Sequence, residues 1–549
     1  MSSPFVQFFK KRAYLPFLLF AIVLVLLYFS SKMVEQDPQI FLVEPAIASP
    51  GDVVQITGED FQSERKGGAV TLAGSRITSS SYLDWSDNQI KFRVPSDAGS
   101  GMITVTTSRG KSNGRLFTNR IHIPIILSGP AAPGLPYIES IEPSQGAVGT
   151  LVTVKGLNFG FDRSASQVLF SVQSSGEDHR RDGGNFIPCS ETDYDYESWT
   201  DHEIQFYVPD GASSGGVKIV GDKGESNSKY FEVRDLPGTR LYPERKGYQL
   251  SYEVSIFSPR GRPDGSLDLW IPGIYPGLEQ RAVEWVRDPE PLWNNYFGVM
   301  RYHYEGISGQ SDQKIELTYW FERYSVETQM EIQRIKTQYN IQRRLYDVYT
   351  SPDDFVPGDE GIKSLADRIK GRESNPYKNA EKIYDYLIEN LKFTTTPSSL
   401  DPVKALGTGQ GDSYIYSILF TALARASGIP ARPVAGYLVY NDKVTVRHFW
   451  SEFYIEDFGW IPLDPALGDE AKFGNFPQGI DNVSDYYFGN IDNRHITFSR
   501  GVIPLKSFLP DGDAVVKSRM FSIQTLHEEA SGLDYYDTFW KDVRIIDWW

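Results

Sequence analysis

The stretch Gly411-Asp412-Ser413-Tyr-Ile-Tyr-Ser-Ile-Leu-Phe-Thr-Ala-Leu-Ala-Arg425-Ala-Ser-Gly428-Ile429-Pro430-Ala431-Arg432 decides the fold. Its apolar residues Ile415, Ile418, Leu419, Ala422, Leu423 and Ala426 recur at helical spacing and predict a helix from Ser413 to Ser427. Asp412 is a good N-cap, and Gly428 and Pro430 stop the helix. Ser413 is thereby placed at a helix N-terminus, where unpaired backbone N–H groups and the helix dipole favour negative charge. Downstream, Val444-Thr-Val-Arg-His448-Phe-Trp450-Ser-Glu452-Phe-Tyr-Ile alternates as a strand does, with His448, Trp450 and Glu452 on one face. Gly459 then turns the chain, and Trp460-Ile-Pro462-Leu-Asp464-Pro465 suits the neighbouring antiparallel strand. Upstream, helical period begins at about Asp359 (Ile362, Leu365, Ala366, Ile369). It resumes at Pro376 (Ala380, Ile383, Tyr384, Leu387, Ile388, Leu391), where proline suits a first helical turn.

Together with Gly436-Tyr437, these strings resemble the core of the transglutaminase-like superfamily, whose members use a papain-like Cys-His-Asp triad. The resemblance covers Glu381 to Asp469 and departs from the family pattern at one point: the nucleophile position holds Ser413. It implies an α+β papain-like core over residues 355–475, with Ser413, His448 and Asp464 at the triad positions. Gln410, just before the helix, is an oxyanion candidate or a polar loop residue. A cysteine at a helix N-terminus has its thiol pKa lowered and forms a standing thiolate–imidazolium pair. The same dipole, worth at most about 2 kcal/mol, cannot ionise a serine hydroxyl. Ser413 would need His448 to take its proton during attack, as in a serine hydrolase. Three functions follow as expectations. The first is a non-catalytic domain binding peptide, protein or cell-envelope polymer in the cleft. The second is a serine-based amidase or peptidase using Ser413, His448 and Asp464, and the third a structural surface protein. No metal-ligand cluster of suitable spacing and no Gly-rich phosphate loop is visible, so neither a metal nor another cofactor is expected.

An internal repeat precedes this core. One copy reads Glu44-Pro45, Gly51, Val53-Val-Gln-Ile-Thr-Gly58-Glu-Asp-Phe61, Val70, Trp85-Ser-Asp-Asn-Gln-Ile90, Val94-Pro95 and Phe117. The other reads Glu142-Pro143, Gly149, Val152-Thr-Val-Lys-Gly156-Leu-Asn-Phe159, Val168, Trp199-Thr-Asp-His-Glu-Ile204, Val208-Pro209 and Phe231. The offset is 98 residues up to Val168 and 114 from Trp199, so the second copy carries an insertion of 16 residues around Ser174 to Cys189. Such an insertion is what a surface loop tolerates. Short alternating strands between Gly, Pro and Asn predict two β-sandwiches of one topology, over residues 38–124 and 136–235. The pattern resembles the immunoglobulin-like IPT/TIG domain. Both copies read as spacers, with ligand or polysaccharide binding as the alternative. Residues 240–330 alternate again (Gln249 to Ile256, Ser266 to Pro272, Lys314 to Arg323) and resemble the β-domain that often precedes bacterial transglutaminase-like cores. Residues 476–549 form a C-terminal extension whose aromatic end, through Trp548-Trp549, suits either a core or a partner surface.

Residues 13–31 are an apolar run of the length a bilayer-spanning helix needs, about 20 residues. Lys10, Lys11 and Arg12 precede it, and Glu35 and Asp37 follow Lys32, which orients residues 1–12 to the cytoplasm. No small-x-small cleavage site follows, so an uncleaved signal anchor is expected, with everything from about Lys32 exported to the periplasm or cell surface. At 549 residues the chain is too long for one core. Its net charge of −16 leaves no basic excess to neutralise phosphates and argues against nucleic acid as a partner. The single cysteine, Cys189, excludes an intrachain disulfide and reads as an incidental thiol.

Overall fold

Alternation in Val53–Glu59, with Val54, Ile56 and Gly58 facing inward, builds the first β-sandwich. The computed structural model describes residues 37–549 apart from 49–50, 96–97, 120–133, 173–185, 297, 442, 470–479, 481 and 510–511. The expected membrane anchor at residues 13–31 lies outside the described residues. Among those described, no helix is long and apolar enough to cross a membrane. The chain is multidomain and predominantly β.

One sheet of the first sandwich orders Gln39–Glu44, Val53–Glu59, Gln89–Arg93 and Tyr82–Trp85. The facing sheet runs from Ile47–Ala48 through Arg115–Asn119, Gly101–Thr107 and Ala69–Leu72 to Ser75–Arg76. Ile40, Val54, Ile56, Val70, Phe92 and Val105 fill the space between them. The second copy repeats the strand order: Tyr137–Glu142, Leu151–Leu157, Glu203–Tyr207 and Tyr196–Trp199 in one sheet, with Lys229–Val233, Gly215–Gly221 and Gln167–Ser171 at the centre of the other. The shared Gly-x-x-Phe motif has a steric cause. A Cβ on Gly58 would lie 1.9 Å from the Gln39 carbonyl oxygen, and one on Gly156 1.9 Å from that of Tyr137. The Trp85 and Trp199 indoles donate to the Phe61 and Phe159 carbonyls at 2.9 and 3.1 Å, so the repeated Trp and Phe close the same corner twice.

The β-domain is organised by one long strand, Arg245–Pro272, which pairs with Gln313–Tyr324 and Val299–Glu305. The aromatic C-terminus joins the same sheet. Glu528–Trp540 and Arg544–Trp548 both pair with the long strand, burying Trp540 and leaving Trp548 and Trp549 exposed.

In the α+β core, the Ser413 helix (Ser413–Ala426) is buried along nearly its whole length. It packs on a four-stranded sheet ordered Gly459–Leu463, Thr445–Ile455, Ala431–Val439 and His495–Arg500, all antiparallel. The helices Glu360–Lys370 and Pro376–Asn390 lie against it through Leu365, Ile383 and Leu387. Both are capped as their sequences suggest: Asp359 accepts from Gly361 and Ile362 N–H, and Asn375 from Tyr377 and Lys378 N–H. The fourth strand comes from the stretch set apart in sequence as an extension after residue 475, which therefore supplies strands to both the core and the β-domain.

Candidate functional site

Asp412 caps the Ser413 helix, its carboxylate accepting from Ile415 N–H at 3.1 Å. Its other oxygen accepts from Arg519, whose guanidinium also sits 4.5 Å over the Tyr414 ring. Ser413, at the first helical position, is 6% exposed. The helix meets the His448 strand along a polar seam. Ser417 Oγ donates to the Trp450 carbonyl at 2.5 Å and lies 3.0 Å from Ser451 Oγ, and Thr421 Oγ1 lies 3.5 Å from Ser451 Oγ. Ser413 is one turn ahead of Ser417 on the same helix face. Tyr414, beside it, packs edge-on against Phe449, beside His448, with centroids 5.1 Å apart. The seam and this ring contact join the helix to the strand that carries His448. Gln410 is exposed, in a short parallel pairing with Lys392.

His448 is fully buried and donates from Nε2 to Asp464 Oδ2 at 2.6 Å. Asp464 is fixed in turn because its Oδ1 caps the short helix Pro465–Gly468, accepting from Ala466 and Leu467 N–H at 3.0 Å each. The Asp-Pro step seen in sequence therefore serves two purposes, starting a helix and holding the carboxylate that faces His448.

The sequence reading missed the partner on the other side. His495 Nε2 donates to the same Asp464 Oδ2 at 3.0 Å, and its Nδ1 donates to Asp492 Oδ1 at 2.7 Å. Asp492 also accepts from the Tyr487 hydroxyl at 2.9 Å and from Arg494 at 2.9 Å. His448, Asp464, His495 and Asp492 are all buried. The available signal was slight: one of seven histidines opens the alternating stretch His495-Ile-Thr-Phe-Ser-Arg, three residues after an aspartate.

Burial alone would push the Asp464 carboxyl up, but His448 and His495 hold it well below the usual carboxylate range. Burial likewise opposes ionisation of Asp492, and His495 with Arg494 overcomes it. For His495, burial favours the neutral ring, yet the Asp492 charge and the bonds to both carboxylates raise it above the ordinary histidine value. The signs give a pH prediction. Depressed carboxyls stabilise the fold fully above their free value near 4 and lose that contribution on acidification. A raised histidine stabilises fully below its free value near 6.5 and loses that contribution as pH rises through the folded value. Urea midpoints measured from pH 3 to 9 should therefore fall on both sides, with Asp492→Asn flattening the acid limb and His495→Gln the alkaline limb.

His448, Asp464 and His495 offer ligand atoms within 4.8 Å of one another, which invites comparison with a metal centre. The nitrogen–oxygen separations of 2.6 and 3.0 Å are hydrogen-bond lengths. Ligands at about 2.0–2.1 Å around tetrahedral zinc stand roughly 3.3 Å apart. The donor set fits a His-Asp-His hydrogen-bonded chain better than a metal shell.

Two other residues lie apart from this chain. Arg432, from the core motif, donates to Glu452 at 2.8 Å and to Asp193 at 2.5 Å, with its guanidinium 3.8 Å over the Trp460 ring. Arg343 donates to Asp195 at 2.7 Å. Asp193 and Asp195 belong to the second sandwich, just after its insertion. That sandwich is therefore bound to the core by buried ion pairs, beyond the spacing role its sequence suggested.

Residues 363–465 match the family model of the transglutaminase-like superfamily, and residues 38–119 and 136–177 match that of the IPT/TIG domain. Among curated proteins, an uncharacterised protein of Haemophilus influenzae is 28% identical over 181 residues, covering 28% of this chain and 49% of that protein. The uncharacterised YebA of Bacillus subtilis is 24% identical over 160 residues, covering 25% and 21%. The chain thus spans half or less of the length of these curated relatives. Among solved structures, a candidate cysteine protease from Cytophaga hutchinsonii is similar at 12% identity and a TM-score of 0.37, over 56% of this chain and 92% of that one. The periplasmic domain of TgpA from Pseudomonas aeruginosa is similar at 16% identity and a TM-score of 0.25, over 46% and 81%.

Proposed function

We propose that this chain, with its transglutaminase-like core and IPT/TIG sandwiches, is an envelope protein whose core cleft binds peptide, protein or cell-envelope polymer without acylating on it. In this reading residues 13–31 anchor it in the membrane, residues 1–12 are cytoplasmic, and the remainder lies outside. The observation that carries the proposal is Ser413 at the head of the buried helix, where the family pattern has its cysteine, in a chain that retains the hydrogen-bonded His448–Asp464 pair. A helix N-terminus can sustain a thiolate but not an alkoxide, and transamidation needs a thioester that serine cannot supply. Retained His448 and Asp464 then shape and polarise a binding cleft. The 2.6 Å His448–Asp464 bond favours one second reading, a serine-based amidase in which His448 deprotonates Ser413 and Gln410 assists the oxyanion.

The first test concerns the field at the helix start. Ser413→Cys, in a Cys189→Ser background, should give a thiol that alkylates with a midpoint below the free-cysteine value of about 8.5. An inert thiol in that variant would mean that the anion-stabilising end of the cleft is lost, and with it both readings.

A further inference from the structure

We infer that His495 is a standing imidazolium that neutralises Asp464, leaving His448 as a neutral ring with its proton on Nε2 and its lone pair on Nδ1. Both nitrogens of His495 face carboxylate oxygens, Asp464 Oδ2 at 3.0 Å and Asp492 Oδ1 at 2.7 Å. Ionised carboxylates only accept, so each contact needs a proton on the ring, and a ring protonated at both nitrogens is cationic. Asp464 accepts from two imidazoles and two backbone N–H groups, which fills its accepting positions.

The charges balance with a neutral His448. Two carboxylates, Asp464 and Asp492, meet two cations, His495 and Arg494. The other groups around His495 are neutral or already paired. Tyr487 donates to Asp492, and Trp450 packs edge-on with its centroid 5.2 Å from the ring. Arg323 donates to the His495 carbonyl and lies 4.0 Å from Glu279. A charged His448, its ring centroid 5.4 Å from that of His495, would add a second imidazolium to the same carboxylate. Two buried cations sharing one carboxylate leave an excess charge out of water, which is costly.

His495 is thus a positioning residue that acts through Asp464. In a cysteine enzyme the carboxylate supports a charged imidazole; here its charge is already spent. This deepens the binding reading, on which it rests for the ligand.

The test is the nitrogen spectrum of the full chain in detergent, labelled with 15N at its histidines, with signals assigned through His448→Gln and His495→Gln. His495 should show both ring nitrogens protonated at pH 7, and His448 should show the Nε2–H form. A His495 ring that loses a proton by pH 7, or a His448 that is charged at pH 7, would overturn the inference from the wild-type spectrum alone. Covalent labelling of Ser413 by a serine probe would instead overturn the binding reading and leave the His495 assignment standing, so the two failures are distinguishable.

Discussion

Replacing Asp193 and Asp195 together by alanine is expected to destabilise the core by about 3–5 kcal/mol, the usual cost of removing one partner from a buried ion pair. Arg343 and Arg432 are 3% and 1% exposed in their side chains, so neither can recover its solvation when its carboxylate is lost. Most of the effect should come from Asp195. Arg432 keeps Glu452 as a second carboxylate, whereas Asp195 is the one carboxylate on Arg343 among the described residues. Burial pushes the Asp195 carboxyl up to about 7, with Arg343 pulling against it, so the comparison belongs at pH 8, where the carboxylate is ionised. Denaturant titration of the full chain at that pH, with Asp195→Asn as a milder control, measures it. An unchanged midpoint would mean that the second sandwich is a spacer after all.

The second large effect is steric. Gly436→Ala should cost at least the upper end of the roughly 1–3 kcal/mol typical of overpacking, and should loosen the strand that carries His495. A Cβ at Gly436 would lie 1.8 Å from the Ile496 carbonyl oxygen and 2.9 Å from its carbon, so a neighbouring backbone must move. Gly436 also pairs with His448 on its other side. One added methyl therefore presses between the two histidine-bearing strands. Gly407, with nothing within 4 Å of its would-be Cβ, is the control. There, alanine should be neutral or slightly stabilising, because it narrows the unfolded ensemble. Thermal unfolding of both variants, with histidine spectra to follow the His495 strand, would check the pair.

What could be read before the structure was local or repeated. The Ser413 helix announces itself through its period, its Asp412 cap and its Gly428 stop, and the helix runs Ser413–Ala426. Alternation around His448 and the Gly459 turn predict an adjacent antiparallel strand; it ends at Leu463, Asp464 follows as the cap of the next helix, and its side chain meets His448. The second histidine was invisible for a physical reason. His495 reaches Asp464 across a sheet from 31 residues away, and strand order is not written in any one strand. The same holds for Asp195 with Arg343 and Asp193 with Arg432, separated by 148 and 239 residues. An ion pair has no period, and its two halves carry no mark of each other until the fold joins them. The C-terminal aromatics were ambiguous in sequence because their face is set by the long strand they pair with, which begins far earlier in the chain at Arg245.

The central claim, that Ser413 heads a binding cleft and does not acylate, is tested most directly by intact-mass analysis of the full chain after exposure to a fluorophosphonate serine probe, beside a Ser413→Ala control. The account predicts no adduct at Ser413. A serine hydroxyl at a helix N-terminus is not ionised, and Asp464, already neutralised by His495, gives little support to the imidazolium that deprotonating Ser413 would create. A stoichiometric adduct on the wild-type chain that disappears in Ser413→Ala would contradict it and establish the serine hydrolase reading.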